Sequence, residues 1–302
     1  MSPVAGILLI LSAVTHAGWN FISKKQYPAL AFYFMANNVG VLLVLPILFP
    51  YWDKISLIPA FVWICLNCSG FFLAVYMAAL AGAYRNGDMS IAYPLARALP
   101  VVFVTVISMT LGLGKMLSVW FIVGAALIVV GCIIVPIRSL RSLQIRDYMN
   151  LCCLLSVVAA VCISGYTMID HEALAYLRNL PGRPFSPVGA TLVYMVLEAI
   201  GCSVWKGILV IASHRERKAF FAVIRDYKMA AAITGIGIYL TYGLVLASMN
   251  YVTNVSYVAA FRQLSIPLGT LMGIFFLKEP PYRVKIFGVV SIFVGLVIVG
   301  LR

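Results

Sequence analysis

Residues 84–107 read YRNGDMSIAYPLARALPVVFVTVI, and residues 249–272 read MNYVTNVSYVAAFRQLSIPLGTLM. In each, a short polar turn leads into an apolar stretch, an arginine stands inside that stretch (Arg97, Arg262), and a proline follows (Pro100, Pro267). About 20 predominantly apolar residues cross the hydrocarbon core of a bilayer as a helix, so both segments read as membrane helices that carry one charge. Arg97 and Arg262 are 165 residues apart. Self-similarity over such a distance marks a chain built from repeated halves. The helices that follow agree. Gly124 and Gly131 are matched by Gly288 and Gly295, each pair on one helix face, and small residues at that spacing let helices approach closely in lipid.

The rest of the chain implies the same solvent. Hydrophobic residues make up 63% of the 302 positions and charged residues 10%, a balance that excludes an ordinary water-soluble globular chain. The apolar stretches predict spans at about 3–22, 29–50, 58–82, 89–111, 117–136, 149–169, 187–211, 229–249, 253–276 and 283–301. Other counts arise from the polar interiors of the second and seventh spans and the near fusion of the eighth and ninth at Asn250 to Thr253. Only Met1 to Pro3 precede the first run, with no positively charged leader, so that run is expected to be retained as the first helix. The fold class expected is an all-α membrane protein of about ten transmembrane helices, as two five-helix halves, 1–147 and 148–302. Five is odd, so the second half enters the membrane from the opposite side. This is an inverted repeat, and it points to a site on the pseudo-two-fold axis near the midplane.

Charge supplies a direction. Loops 1–2, 3–4, 5–6, 7–8 and 9–10 carry fourteen Lys and Arg, and the other face carries five, Lys54, Lys115, Arg178, Arg183 and Arg302. The positive-inside rule then puts the fourteen-charge face in the cytoplasm and both termini outside, for a multi-pass protein of the inner cell membrane. The net charge of +13 is thus a topology signal, with no nucleic-acid partner implied. The seven cysteines all fall inside spans, where they serve as small apolar filler; neither a disulfide framework nor a metal site is expected, Cys65 and Cys68 included.

A charge near the bilayer centre is costly, at least about 2.5–3.5 kcal/mol on insertion scales, so each one is a functional candidate. Ser90, Tyr93, Arg97 and Pro100 share a face of the fourth span. Pro94 and Pro100 lack amide hydrogens and free carbonyls there, as Pro267 would in the ninth span. The bland alternative is that each Arg snorkels or ties two helices together. In the seventh span Thr191, Tyr194, Glu198, Gly201 and Trp205 form a second stripe. Glu198 is the one carboxylate placed deep in a span. Low dielectric favours a neutral carboxyl, so Glu198 is a proton-coupling candidate, and a permanent ion pair with an Arg or with Lys206 is the other reading. The first span aligns Ser12, His16, Trp19 and Asn20, and His16 is a second proton candidate because imidazole titrates near neutral pH. Asn37, Asn38, Tyr76, Tyr239, Tyr242 and Tyr257 add hydrogen-bonding or stacking surface. Trp52, Trp120 and Tyr282 read as interface anchors. No Gly-rich phosphate loop, H-E-x-x-H or G-x-S-x-G occurs, so ATP-driven transport has no support and no cofactor is expected.

The run from Gly87 to Pro100, GDMSIAYPLARALP, together with Ser256 to Phe261 leading to Pro267, Leu277 to Pro280 (LKEP), and Gly288 to Gly295, resembles the drug/metabolite transporter superfamily in its EamA branch. The similarity covers nearly the whole chain. The first half departs from the pattern at Leu113-Gly114-Lys115, where Lys278-Glu279 is the second-half form. His16 to Asn20, HAGWN, is similar to a subgroup sometimes linked to phosphonate use. The resemblance implies a substrate cavity between helices one to four and six to nine, with helices five and ten at the edge. It implies alternating access without ATP and termini in the cytoplasm, against the charge count.

The expected function is secondary active transport of a small polar metabolite, anionic or zwitterionic. Arg97, Arg262, Tyr93, Trp19, Asn20, Asn38, Tyr76, Tyr242 and Tyr257 are candidate substrate contacts, and Glu198 and His16 candidate proton carriers. Arg suits carboxylate and phosphate oxygens because its planar fork donates two bonds at once. The expected partners are a small-molecule substrate, the lipid bilayer and protons, with a homodimer as a candidate assembly. The alternative is an integral membrane enzyme acting on a lipid or isoprenoid substrate, with His16 or Glu198 as general base.

Overall fold

A computed structural model of the chain describes residues 3–110, 119–137, 148–249 and 264–300. Every regular element among the described residues is helical. They are α1 (Pro3–Gln26), α2 (Leu30–Val44), α3 (Ala60–Asn86), α4 (Met89–Thr110), α5 (Val119–Ile134), α6 (Leu151–Arg178), α7 (Pro187–Ala212), α8 (His214–Ala222), α9 (Lys228–Met249), α10 (Ser265–Phe276) and α11 (Arg283–Gly300). A tight 3-10 stretch, Leu45–Leu57, continues α2, with Pro46 and Pro50 removing amide donors from it. A π turn, Val223–Tyr227, joins α8 to α9.

Among the described residues, six helical stretches are long and apolar enough to cross a membrane: Pro3–Gln26, Leu30–Leu57, Ala60–Asn86, Leu151–Arg178, Pro187–Ala212 and His214–Val245. Met89–Val104, Val119–Ile134 and Ser265–Phe276 are shorter apolar helices. This is the make-up of a helical membrane protein, in which the backbone satisfies its own hydrogen bonds where no water can. The structure departs from the sequence reading at the end of the sixth span and at Pro267. The sixth span, expected to end at about 169, runs on to Arg178 and carries Asp170, His171 and Glu172 inside the helix. The proline at 267 sits in the first turn of α10, where the missing N–H frees no carbonyl. By contrast α4 runs continuously through Pro94 and Pro100.

The chain forms two compact units, and α3, α6 and α9 contribute to both. The first comprises residues 1–28, 79–161 and 237–302. Its tightest packing joins α5 to α11 through the four glycines singled out above. A Cβ on Gly131 would lie 2.6 Å from the Gly288 carbonyl oxygen, and one on Gly295 2.6 Å from that of Gly124. Only glycine permits that approach. Polar groups close one end of this unit. The Glu279 carboxylate accepts hydrogen bonds from the Met89 and Ser90 amides (2.7 and 2.9 Å), capping α4, whose first amides have no helical partner. Gly273 leaves room for that carboxylate, and Lys278 takes a left-handed φ of 58°, a conformation that favours glycine, just before Glu279. Buried Lys285 donates to Asp88 Oδ2, Ser90 Oγ and the Pro280 carbonyl at 3.2, 2.9 and 3.1 Å. Lys24 donates to the Tyr84 and Gly87 carbonyls at the end of α3, the charge a helix C-terminus favours.

The second unit comprises residues 29–78 and 162–236. Asn37 on α2 donates to the Ala199 carbonyl (3.1 Å) and to Ser203 Oγ (2.7 Å) on α7. A Cβ on Gly70 of α3 would stand 2.9 Å from the α7 backbone at Gly201 and Cys202. Ala29, which precedes α2, has no capping side chain; the Ala31 amide donates instead to Glu216 of α8 at 3.0 Å. Each unit therefore contains a helix whose start is capped by a glutamate remote in sequence.

Candidate functional site

In the first unit, four of the residues singled out from sequence come together. The His16 ring stacks on Trp19 with centroids 5.0 Å apart, and meets Tyr93 of α4 edge-on at 6.1 Å. Asn20 lies one turn along α1, with its Nδ2 3.3 Å from His16 Nδ1, and its Oδ1 accepts from the Tyr84 hydroxyl at 3.0 Å. Ser12, one turn the other way, donates to the Thr241 carbonyl of α9 at 3.1 Å. His16, Asn20 and Tyr93 are all buried, and the spacing read from sequence explains why: positions four apart on a helix share a face.

Arg97 follows one turn after Tyr93. Among the described residues its buried Nε has no hydrogen-bond partner, and no salt bridge to it occurs there either. A guanidinium is always charged and offers five donors, so an Nε without an acceptor inside a membrane helix leaves a donor free for something the chain does not supply. Tyr242 lies half-buried on α9. Arg262 and Tyr257 lie outside the described residues.

The other predicted residues belong to the second unit. Asn38 Oδ1 accepts from Ser203 Oγ at 3.3 Å, beside the Asn37 bonds, and Tyr76 faces Tyr166 with ring centroids 6.4 Å apart. Glu198 is paired, but among the described residues with neither an Arg nor Lys206. Ser69 Oγ on α3 stands 2.6 Å from Glu198 Oε1 and 2.6 Å from Asp170 Oδ1. The Tyr194 hydroxyl also donates to Asp170 Oδ1, at 2.8 Å. Glu198 is therefore not the lone deep carboxylate of the sequence reading, because α6 extends far enough to bring Asp170 to it. A serine hydroxyl carries one proton and can donate to only one of two carboxyls. The second 2.6 Å contact needs a proton on the other carboxyl, which then donates to Ser69 Oγ. The arrangement is a proton-holding one.

Sequence reasoning missed Ser69 and Asp170. Ser69 carried no signal in an apolar span, and Asp170-His171-Glu172 looked like the start of a loop. No group of three His, Cys, Asp or Glu that could hold a metal ion occurs among the described residues. An apolar cavity of about 590 Å³ in the first unit, lined by Leu95, Leu99, Cys132, Ile133, Leu154 and Val157 among others, contains none of the polar residues above.

No protein-family model matches the chain, and no curated protein matches it. A solved structure described as "Crystal structure of protein" aligns with 98% of this chain and 96% of its own, at 16% identity and a TM-score of 0.49, a likeness too slight to support a statement about this chain.

Proposed function

We propose that the chain is a secondary active transporter of the inner cell membrane, in which ten spans form two inverted five-helix halves and a small anionic or zwitterionic metabolite crosses by alternating access. The observation that carries this reading is Arg97, whose buried Nε has no acceptor although it sits in an apolar helix beside a buried His16–Trp19–Tyr93 cluster. A structural arginine in lipid would be expected to bind carbonyls or a carboxylate; one with a free donor is suited to an anion that comes and goes. Arg262, by its place in the repeated segment, is the second anion contact. The resemblance to the EamA branch supports the same reading.

Coupling to protons belongs to the same proposal. Asp170 and Glu198 share Ser69 at 2.6 Å each, an arrangement that stores one proton and can release it when the helices that carry the two carboxyls part. His16, hydrogen-bonded to Asn20 and stacked on Trp19, is the second candidate carrier. Purified protein in proteoliposomes, screened for uptake of labelled metabolites with and without an inward proton gradient, tests both parts. Uptake of an anionic or zwitterionic solute that rises with the gradient is expected. Absence of flux for every solute would sink the proposal.

A further inference from the structure

Two contacts fix how α4 and α10 face each other. A Cβ on Gly273 would lie 3.3 Å from the Ser90 amide nitrogen, and one on Gly269 2.7 Å from the Tyr93 ring. Residue numbers rise along α4 as they fall along α10, so the pair is antiparallel. The next turn on each helix, three to four residues on, sets Ser265 opposite Arg97. Ser265 is fully buried, and its Oγ has no hydrogen-bond partner among the described residues. Serine in a membrane helix ordinarily bonds a carbonyl one turn back, as Thr241 and Thr270 do here. Ser265 does not, and an unmade buried hydrogen bond is destabilising.

Two donors left without acceptors at one level of one helix pair have a common chemical meaning. From these observations we infer that Arg97 and Ser265 together form a recognition site for a carboxylate. The free Nε–H lies parallel to a terminal N–H on the same edge of the guanidinium, and that edge matches the two oxygens of a planar carboxylate. The Ser265 hydroxyl supplies a third bond to one of them. The aromatic His16–Trp19–Tyr93 cluster one turn away suits an aromatic substituent on that carboxylate. This rests on the transporter reading and narrows its substrate class.

The test uses the full chain in detergent, with thermal unfolding followed by tryptophan fluorescence against benzoate, benzamide and methylphosphonate at matched ionic strength. Benzoate, whose ring the aromatic cluster favours, is expected to raise the midpoint more than methylphosphonate does, with benzamide without effect. Ser265→Ala is expected to weaken benzoate about tenfold, the loss of one hydrogen bond to a charged group, while its unliganded midpoint stays level or rises. Arg97→Lys keeps the charge, loses the planar fork and is expected to weaken benzoate by a similar factor. Equal shifts with benzoate and benzamide in the wild-type protein overturn the inference without any variant. So does wild-type benzoate affinity in Ser265→Ala. Flux of neutral or cationic solutes in proteoliposomes with no carboxylate binding overturns it while leaving transport intact. Benzoate binding that depends on both residues, in a protein that moves no solute, supports the site and contradicts transport.

Discussion

Glu198 and Asp170 come from different helices and meet at one serine hydroxyl, so neither carboxyl can be understood alone. If Ser69 holds them together through one shared proton, replacing either carboxyl with an amide removes that proton's exchange. Glu198→Gln and Asp170→Asn are each expected to abolish uptake driven by a proton gradient while leaving solute exchange at equal pH on both sides within about twofold, the pattern of lost coupling with retained binding. Gradient-driven accumulation that survives in both variants would remove the pair from the mechanism. Tyr194→Phe takes away only one bond to Asp170 and is expected to shift the pH dependence of uptake without abolishing it. Half of this site was legible in the sequence. A lone carboxylate in an apolar helix announces itself because lipid makes it costly, whereas Asp170 stands in a run of three polar residues where an apolar stretch ends, which is also what a loop looks like. Serines such as Ser69 and Ser265 give no signal at all, because a hydroxyl is inexpensive in a helix and its importance depends on what faces it.

At the level of the helix, glycine spacing proved the most informative pattern. The seven-residue spacing of Gly124 and Gly131 and of Gly288 and Gly295 indicated a close-packing face on each helix, and the two faces meet one another, carbonyl against glycine. Gly131→Ala is expected to destabilise the protein by about 1–3 kcal/mol, since the added methyl would stand 2.6 Å from a backbone oxygen that has no room to move. Gly243→Ala, on α9, is the matched control. Nothing lies within 4 Å of a Cβ there, so the change is expected to stabilise by about 0.5–1 kcal/mol through helix propensity alone. Thermal midpoints in one detergent measure both. Equal effects of the two substitutions would contradict the packing. Glu279→Ala removes the cap on α4 and is expected to cost about 0.5–2 kcal/mol, with Glu279→Gln in between because an amide oxygen can still accept one of the two bonds. These caps were not legible, since the helix start and the glutamate that satisfies it lie 190 residues apart in sequence. Helix ends were likewise hidden where prolines tighten the chain after α2 and where α6 runs on past its apolar part.

For the whole chain, composition and the lengths of apolar stretches were enough to specify a helical membrane protein, and the six longest helices have that character. Orientation is a separate question, on which the charge count and the family resemblance disagree. The charge count expects a cysteine at position 56 to react with an impermeant maleimide on intact cells, and one at position 214 only after permeabilisation, so Ser56→Cys and His214→Cys decide between them. The reverse labelling would place both termini in the cytoplasm. The proposed transport function rests most heavily on Arg97, because an arginine with a free buried donor in an apolar helix is difficult to explain without an anion. The most direct measurement is therefore uptake of a panel of carboxylate and neutral metabolites into proteoliposomes containing the wild-type protein or Arg97→Ala. Saturable uptake of a carboxylate by the wild type, lost at least tenfold in kcat/KM in the variant, is the expected result. Carboxylate uptake unchanged by Arg97→Ala, or no uptake of any solute by the wild type, would contradict it.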